Sequence, residues 1–145
     1  MKIVINTCYG GFGLSPKGER RYLELAGHKS YFYKQSKYNW QNGETEFVRV
    51  DNIDDAPDIL FYCTTYDQGP SLPDYPKDIF YSIDLQRNDP MLIQVVEELG
   101  EESFDKYAEL SIIEIENGRW FKIDEYDGYE SIQYRDIDDE WILAE

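Results

Sequence analysis

The apolar residues of the 145-residue chain fall into short runs rather than long stripes. Residues 2 to 8 carry Ile3, Val4 and Ile5 in succession with little alternation, the pattern of a strand covered on both faces. Ser15-Pro16 then predicts a helix start, since Ser15 can cap and Pro16 lacks an N–H that would go unpaired at the first position. This helix runs to Ala26 and stops at Gly27. Gly18 weakens its first turn, which then depends on tertiary contacts. Residues 30–34, 46–50, 58–63 and 78–85 read as strands, and Pro70, Pro73 and Pro76 make residues 67–77 a long loop. Asp89-Pro90 opens a second helix that Gly100 closes, and Met91, Leu92, Val95, Val96 and Leu99 lie along one of its sides as a packing stripe. A short helical turn is expected around 102–107.

Asn117-Gly118 lies between two strand-like runs and predicts a hairpin over 110–125, with Ile112 facing Ile123 and Glu114 facing Phe121. Asp127-Gly128 is a second turn dipeptide. Closed as a hairpin, it sets Glu125 opposite Glu130, a like-charge pair that opposes this register. The order of elements predicts a single α+β domain over 1–145. Its sheet is expected to be mixed, mostly antiparallel, with two main helices at about 15–26 and 90–99. Residues 136–145 form an acidic tail that either docks through Trp141, Ile142 and Leu143 or frays.

Charge adds an asymmetry. The net charge is −16, yet the first 50 residues hold 8 Lys/Arg against 4 Asp/Glu and the remainder 6 against 26. A body this acidic repels phosphate backbones and disfavours direct nucleic-acid binding. It is either simply a soluble acidic surface or a negative face that occupies a basic partner. No apolar run reaches a membrane span and no signal-peptide pattern appears, so a cytoplasmic protein is expected. Cys8 and Cys63 stand apart, which suits reduced thiols.

Several chemistries fail on spacing. His28 is the sole histidine and follows a helix-ending glycine, where it favours the helix dipole. One histidine with two separated cysteines makes a poor zinc set, and neither a metal nor a cofactor is expected. No glycine stands in a Walker loop. Gly11-Phe12-Gly13 meets Pro16 where the dinucleotide fingerprint needs glycine, and Leu14 stands where a phosphatase loop needs arginine. What survives is generic. A glycine turn entering a helix aims several amides at one point, with Lys17, Arg20 and Arg21 close behind. Cys8, Tyr9, Gly10, Gly11, Phe12, Gly13, Arg20 and Arg21 are therefore candidates for binding an anion; the plainer alternative is a tight turn with Phe12 and Leu14 in the core. Arg87 is a candidate clamp for phosphate or carboxylate, and Asn88 a reader of a base or ribose edge; the plainer alternative is a loop ending in a cap. Tyr31, Tyr33, Tyr62 and Tyr66 offer aromatic faces for a base or an interface.

The segments KIVINTCYGGFGLS, DLQRNDPMLIQVVEELGE and IDEYDGYESI resemble, in the same order, a family of small proteins common in bacteriophage genomes and scattered through bacteria. Its members look like phage accessory proteins, and some such proteins sequester nucleotide immune signals, as anti-Thoeris sponges do. The resemblance implies that CYGGFG, RNDP and EYDGYE act together, which adds Tyr126 and Asp127 to the candidate ligand-binding residues. It implies an anti-defence protein of the host cytoplasm that holds a small anionic nucleotide-type ligand without chemistry. A homo-oligomer is expected on separate grounds, since the tyrosine faces suit an interface and the basic first third can meet the acidic remainder of another copy. Two alternatives stand beside it. One is an acidic inhibitor or nucleic-acid mimic that binds a host protein, and the other a small hydrolase with Asp/Glu acid–base chemistry.

Overall fold

The computed structural model describes residues 1–38, 40–57 and 59–135, so the expected acidic tail lies outside the described residues. These contain strands β1 (Lys2–Asn6), β2 (Tyr31–Tyr38), β3 (Thr45–Val50), β4 (Phe61–Thr64), β5 (Ile79–Phe80), β6 (Leu110–Glu114), β7 (Trp120–Tyr126) and β8 (Tyr129–Arg135). Two α-helices join them, α1 (Pro16–Leu25) and α2 (Pro90–Leu99). The fold is α+β. Every strand pairing among the described residues is antiparallel, so the mixed sheet expected from the sequence is replaced by three antiparallel sheets.

Both helices begin and end where local chemistry sets them. Ser15 accepts from Gly18 N, and Asp89 accepts from Met91 N. At the end of α1, Gly27 N reaches Glu24 O and His28 N reaches Leu23 O, with Gly27 at a φ of +83°. This paired closure satisfies two carbonyls and gives His28 a backbone role. Gly18 answers a tertiary demand: a Cβ there would overlap the Ser103 carbonyl of the 3-10 turn Gly100–Ser103. That turn stands slightly earlier than the helical turn expected at 102–107. The strand expected over 78–85 is only β5, followed by a 3-10 turn at Ser82–Asp84.

The main core joins α1, α2 and the inner faces of the sheets, with Val4, Leu14, Leu23, Phe32, Leu92 and Val95 at its centre. The proline-rich loop runs along the edge of β3, where Pro70 O accepts from Arg49 N and Leu72 N donates to Phe47 O. This loop buries Tyr33 completely, and the Tyr33 hydroxyl donates to Gly69 O and accepts from Gln68 N. Tyr33 is therefore a structural anchor and is not accessible to a ligand.

The Asn117-Gly118 hairpin does not form. β6 pairs with β1, setting Ile112 opposite Val4, while β7 pairs with β8. The apolar groups expected to face each other serve different cores, since Ile112 packs on the main core and Ile123 on a second cluster around Ile3, Ile5 and Ile115. A strand as buried as β1 needs an apolar neighbour, and β6 supplies it. The Asp127-Gly128 hairpin does form, with both turn residues at positive φ and Glu125 opposite Glu130. The like-charge objection fails because each carboxylate has donors of its own: Glu125 accepts from Gly128 N, and Glu130 accepts from Asn6 N and Arg87.

A polar seam runs under the first turn of α1. Glu19 is buried, its carboxyl lies by Ser82 and Cys63, and its Oε2 has no hydrogen-bond partner. Burial, then the nearby Asp105 charge, pushes its pKa well above the ordinary range for glutamate. The Cys63 thiol is likewise raised, by burial first and then by Glu19. An acid whose pKa rises on folding binds more protons folded than unfolded. Its stabilising contribution is therefore complete below the unfolded pKa near 4.5 and declines as pH rises toward the folded value. Glu19→Gln is expected to raise the thermal midpoint at pH 7, by the equivalent of about 1–3 kcal/mol, and to match wild type near pH 4. Calorimetry across that pH range checks the slope.

Candidate functional site

Asn6, the polar end of an otherwise apolar strand, ties the start of the glycine loop to two distant segments. It is 0% exposed. Its Nδ2 donates to Cys8 O and to Gly128 O, both at 2.8 Å, and its Oδ1 accepts from Glu109 N at 2.9 Å. Its backbone N donates to Glu130 Oε1 at 2.9 Å. The same outer edge of β1 is closed at Val4, whose N donates to Arg87 O at 2.8 Å. Arg87 then joins the two closures. Its guanidinium approaches Glu130 Oε1 at 3.4 Å and Oε2 at 3.3 Å, and donates to Leu85 O at 2.8 Å. It also lies 3.6 Å from the centre of the Phe12 ring, a cation–π contact in a largely dry position. The ion-pair side chains are only 15% and 10% exposed.

Beside this knot lies a shallow cavity, broadly open to solvent, of about 570 Å³. Ile3, Ile83, Leu85, Phe121 and Ile123 make its apolar wall, and Gln86, Arg87, Asn88, Glu125 and Glu130 its polar end. The volume falls within the usual span for small-molecule sites. The wall follows from alternation along the hairpin, in which Phe121, Ile123 and Glu125 share one face with their partners Tyr134, Ile132 and Glu130.

The structure thus brings the CYGGFG, RNDP and EYDGYE segments together, though not as an anion cradle. Leu14 N donates to Ser82 Oγ, Ser15 N to Ser103 O and Gly18 N to Ser15 Oγ, so these three amides are engaged within the protein. Gly10 and Gly13 allow close approach instead: a Cβ at Gly10 would overlap Tyr107, and one at Gly13 the Asp105 carboxylate. A Cβ at Gly128 would overlap the Gly11 backbone, which is how the hairpin turn seats on the glycine loop. Cys8 is half-buried and lines a different hollow beside Asp105 and Lys106. Tyr9 packs on Tyr129 with ring centres 5.2 Å apart. Tyr126 is exposed, and Asp127 occupies the turn. Arg20 and Arg21 lie elsewhere: Arg21 pairs with Glu98 at 2.8 Å and Arg20 with Glu24 at 3.7 Å. Arg87 and Asn88 do line the cavity, but Arg87 is held by Glu130 rather than presented to an anion.

Two residues outside the ligand-binding candidates drawn from the sequence, Asn6 and Glu130, carry most of this arrangement. Asn6 was a visible signal, a single amide closing an apolar run. Glu130 was another, an acid on the strand face that Ile132 and Tyr134 assign to the interior. Among the described residues no group of acidic, histidine and cysteine side chains is placed to hold a metal ion, and no helix is long and apolar enough to cross a membrane. Comparisons with protein-family models, with curated proteins and with solved structures return no match.

Removing Arg87 alone strands a buried carboxylate. Arg87→Met is expected to lower stability by about 3–5 kcal/mol. Adding Glu130→Gln, which keeps an acceptor for Asn6 N, is expected to return much of that loss. Urea midpoints of the two single variants and the double variant test the coupling.

Proposed function

We infer that this protein is a binding protein that holds a small molecule in the cavity beside Arg87 and Glu130 without transforming it. The observation that carries the reading is the cavity itself, an apolar wall ending in a cluster of amide and carboxylate groups at the meeting point of three segments. Catalysis by Asp/Glu is less well supported. Glu130 faces Glu125 across the hairpin, but it already accepts from Arg87 and Asn6, and Glu125 accepts from Gly128. Glu130 is thus held as a structural acceptor, and the exposed Glu125 alone does not make the acid and base pair that such hydrolysis uses.

The ligand class that fits is a nucleoside-type molecule. A flat base gains from contact with Ile123 and Phe121, while the Asn88 and Gln86 amides match the donor and acceptor pattern of a base or ribose edge. With Glu125 and Glu130 at the polar end, a polyphosphate is not expected to enter first, so phosphates stay at the mouth. Sequestration of a nucleotide-type signal by a phage accessory protein accords with this reading and with the family resemblance.

The test is to incubate the protein with cyclic and ADP-ribose-derived nucleotides and their nucleosides, remove free ligand, denature by heat and analyse what is released. Intact ligand in near-stoichiometric yield is expected; altered ligand points to the hydrolase, and no uptake overturns the reading. Ile123→Trp, which fills the wall, is expected to abolish uptake. Asn88→Ala is expected to weaken binding roughly tenfold, the equivalent of one hydrogen bond of about 1–1.5 kcal/mol.

A further inference from the structure

The hairpin that walls the cavity has an unused edge. β7 pairs with β8 on one side, and among the described residues its other side has no backbone partner. Tyr126 and Tyr129 flank a two-residue turn and so form a hydrogen-bonded pair, which directs the amides and carbonyls of Phe121, Ile123 and Glu125 away from β8. The strand's outer face carries Trp120 and Tyr126, 67% and 79% exposed, with Lys122 and Asp124 between them. Among the described residues Lys122 bridges to its own neighbour Asp124, at 3.6 Å, with the lysine largely in solvent.

We propose that a second copy of this chain adds its β7 to this edge, antiparallel about a two-fold axis at Ile123. That register is self-complementary. Ile123 meets Ile123, both outward-directed amide sets are hydrogen-bonded, Lys122 stands opposite Asp124 twice, and Trp120 stands opposite Tyr126 twice. A shift of two residues in either direction breaks both charge pairs, so the charges select the register. A lysine in mid-strand ordinarily discourages edge pairing; here an aspartate opposite it turns the same charge into a specificity element.

The pairing also bears on the cavity. A two-fold axis perpendicular to the sheet keeps the Phe121–Ile123–Glu125 faces of both copies on one side. Phe121 of each copy then lies opposite Glu125 of the other, and the two cavities share a continuous wall. This part rests on the binding reading above, whereas the dimer itself does not.

Light scattering coupled to size exclusion, on the ligand-free protein at tens of micromolar, reads the dimer directly. Wild type is expected at twice the 17.2 kDa chain mass. Lys122→Asp and Asp124→Lys each place like charges opposite one another and are expected to give monomers. The double variant, Lys122→Asp with Asp124→Lys, restores opposite charges and is expected to recover the dimer. Circular dichroism identifies a variant that has lost its fold, and the double variant decides the matter even where one single variant has. A monomeric wild type, a dimer indifferent to both single reversals, or a double variant that stays folded and monomeric overturns the proposal. Uptake of the nucleoside panel by the monomeric variants is read separately. Binding equal to wild type overturns the shared wall and leaves the dimer standing; wild-type dimer without uptake removes the binding reading alone.

Discussion

The structure depends on how one buried strand edge is closed. β1 lies in the interior, with β6 on one side, and its other edge must find acceptors for Val4 N and Asn6 N. No strand supplies them. The Arg87 carbonyl and the Glu130 carboxylate do, and the arginine that owns the first acceptor ion-pairs with the second. A buried amide without an acceptor is expensive, as is a buried carboxylate without a cation, and the same two residues meet both demands. That closure fixes the loop before α2 and the hairpin β7–β8 relative to β1, and the cavity is the space left between them.

Electrostatics on the surface follow a different logic. The cationic first third of the sequence suggested a basic region set against an acidic body. In three dimensions those cations are distributed among carboxylates: Lys2 with Glu97, Lys17 with Asp54, Arg21 with Glu98, and Arg49 with Asp67. Each exposed pair contributes little to stability. These pairs set four of the eight cations of the first fifty residues against carboxylates of the acidic remainder. An anion seeking arginine finds Arg21, Arg49 and Arg87 already paired.

What was legible in the sequence is what local chemistry determines. Ser15-Pro16, Asp89-Pro90, Gly27 and Gly100 mark helix ends because capping involves atoms only a few residues apart. Pairing partners are a long-range property and were legible only in part. Asn117-Gly118 has strong hairpin chemistry, yet β6 gains more by covering β1 across more than a hundred residues of chain. Local reasoning also discarded the Glu125–Glu130 register, because it saw two like charges and could not see Arg87 or the Asn6 amide. The convergence of the CYGGFG, RNDP and EYDGYE segments was suggested by resemblance alone. Its physical cause, the hydrogen bonds of Asn6 together with the contact of Gly128 on Gly11, involves residues that no short motif links.

The glycines of the CYGGFG loop show how an identical local pattern supports two different chemistries. A glycine turn before a helix binds an anion when its amides converge on open space. It becomes a packing joint when other protein atoms fill that space, and here Tyr107, the Asp105 carboxylate and Gly128 approach Gly10, Gly13 and Gly11 closely enough to do so. The cavity consequently lies not at the loop but on the far side of the joint that the loop makes. There Phe12 supports the Arg87 guanidinium from one side while Glu130 holds it from another. A guanidinium held in this way cannot turn to follow an anion, but it orients Glu130 and the adjacent Asn88 segment rigidly. Rigidity of that kind favours recognition of a fixed hydrogen-bonding edge over capture of a mobile charge.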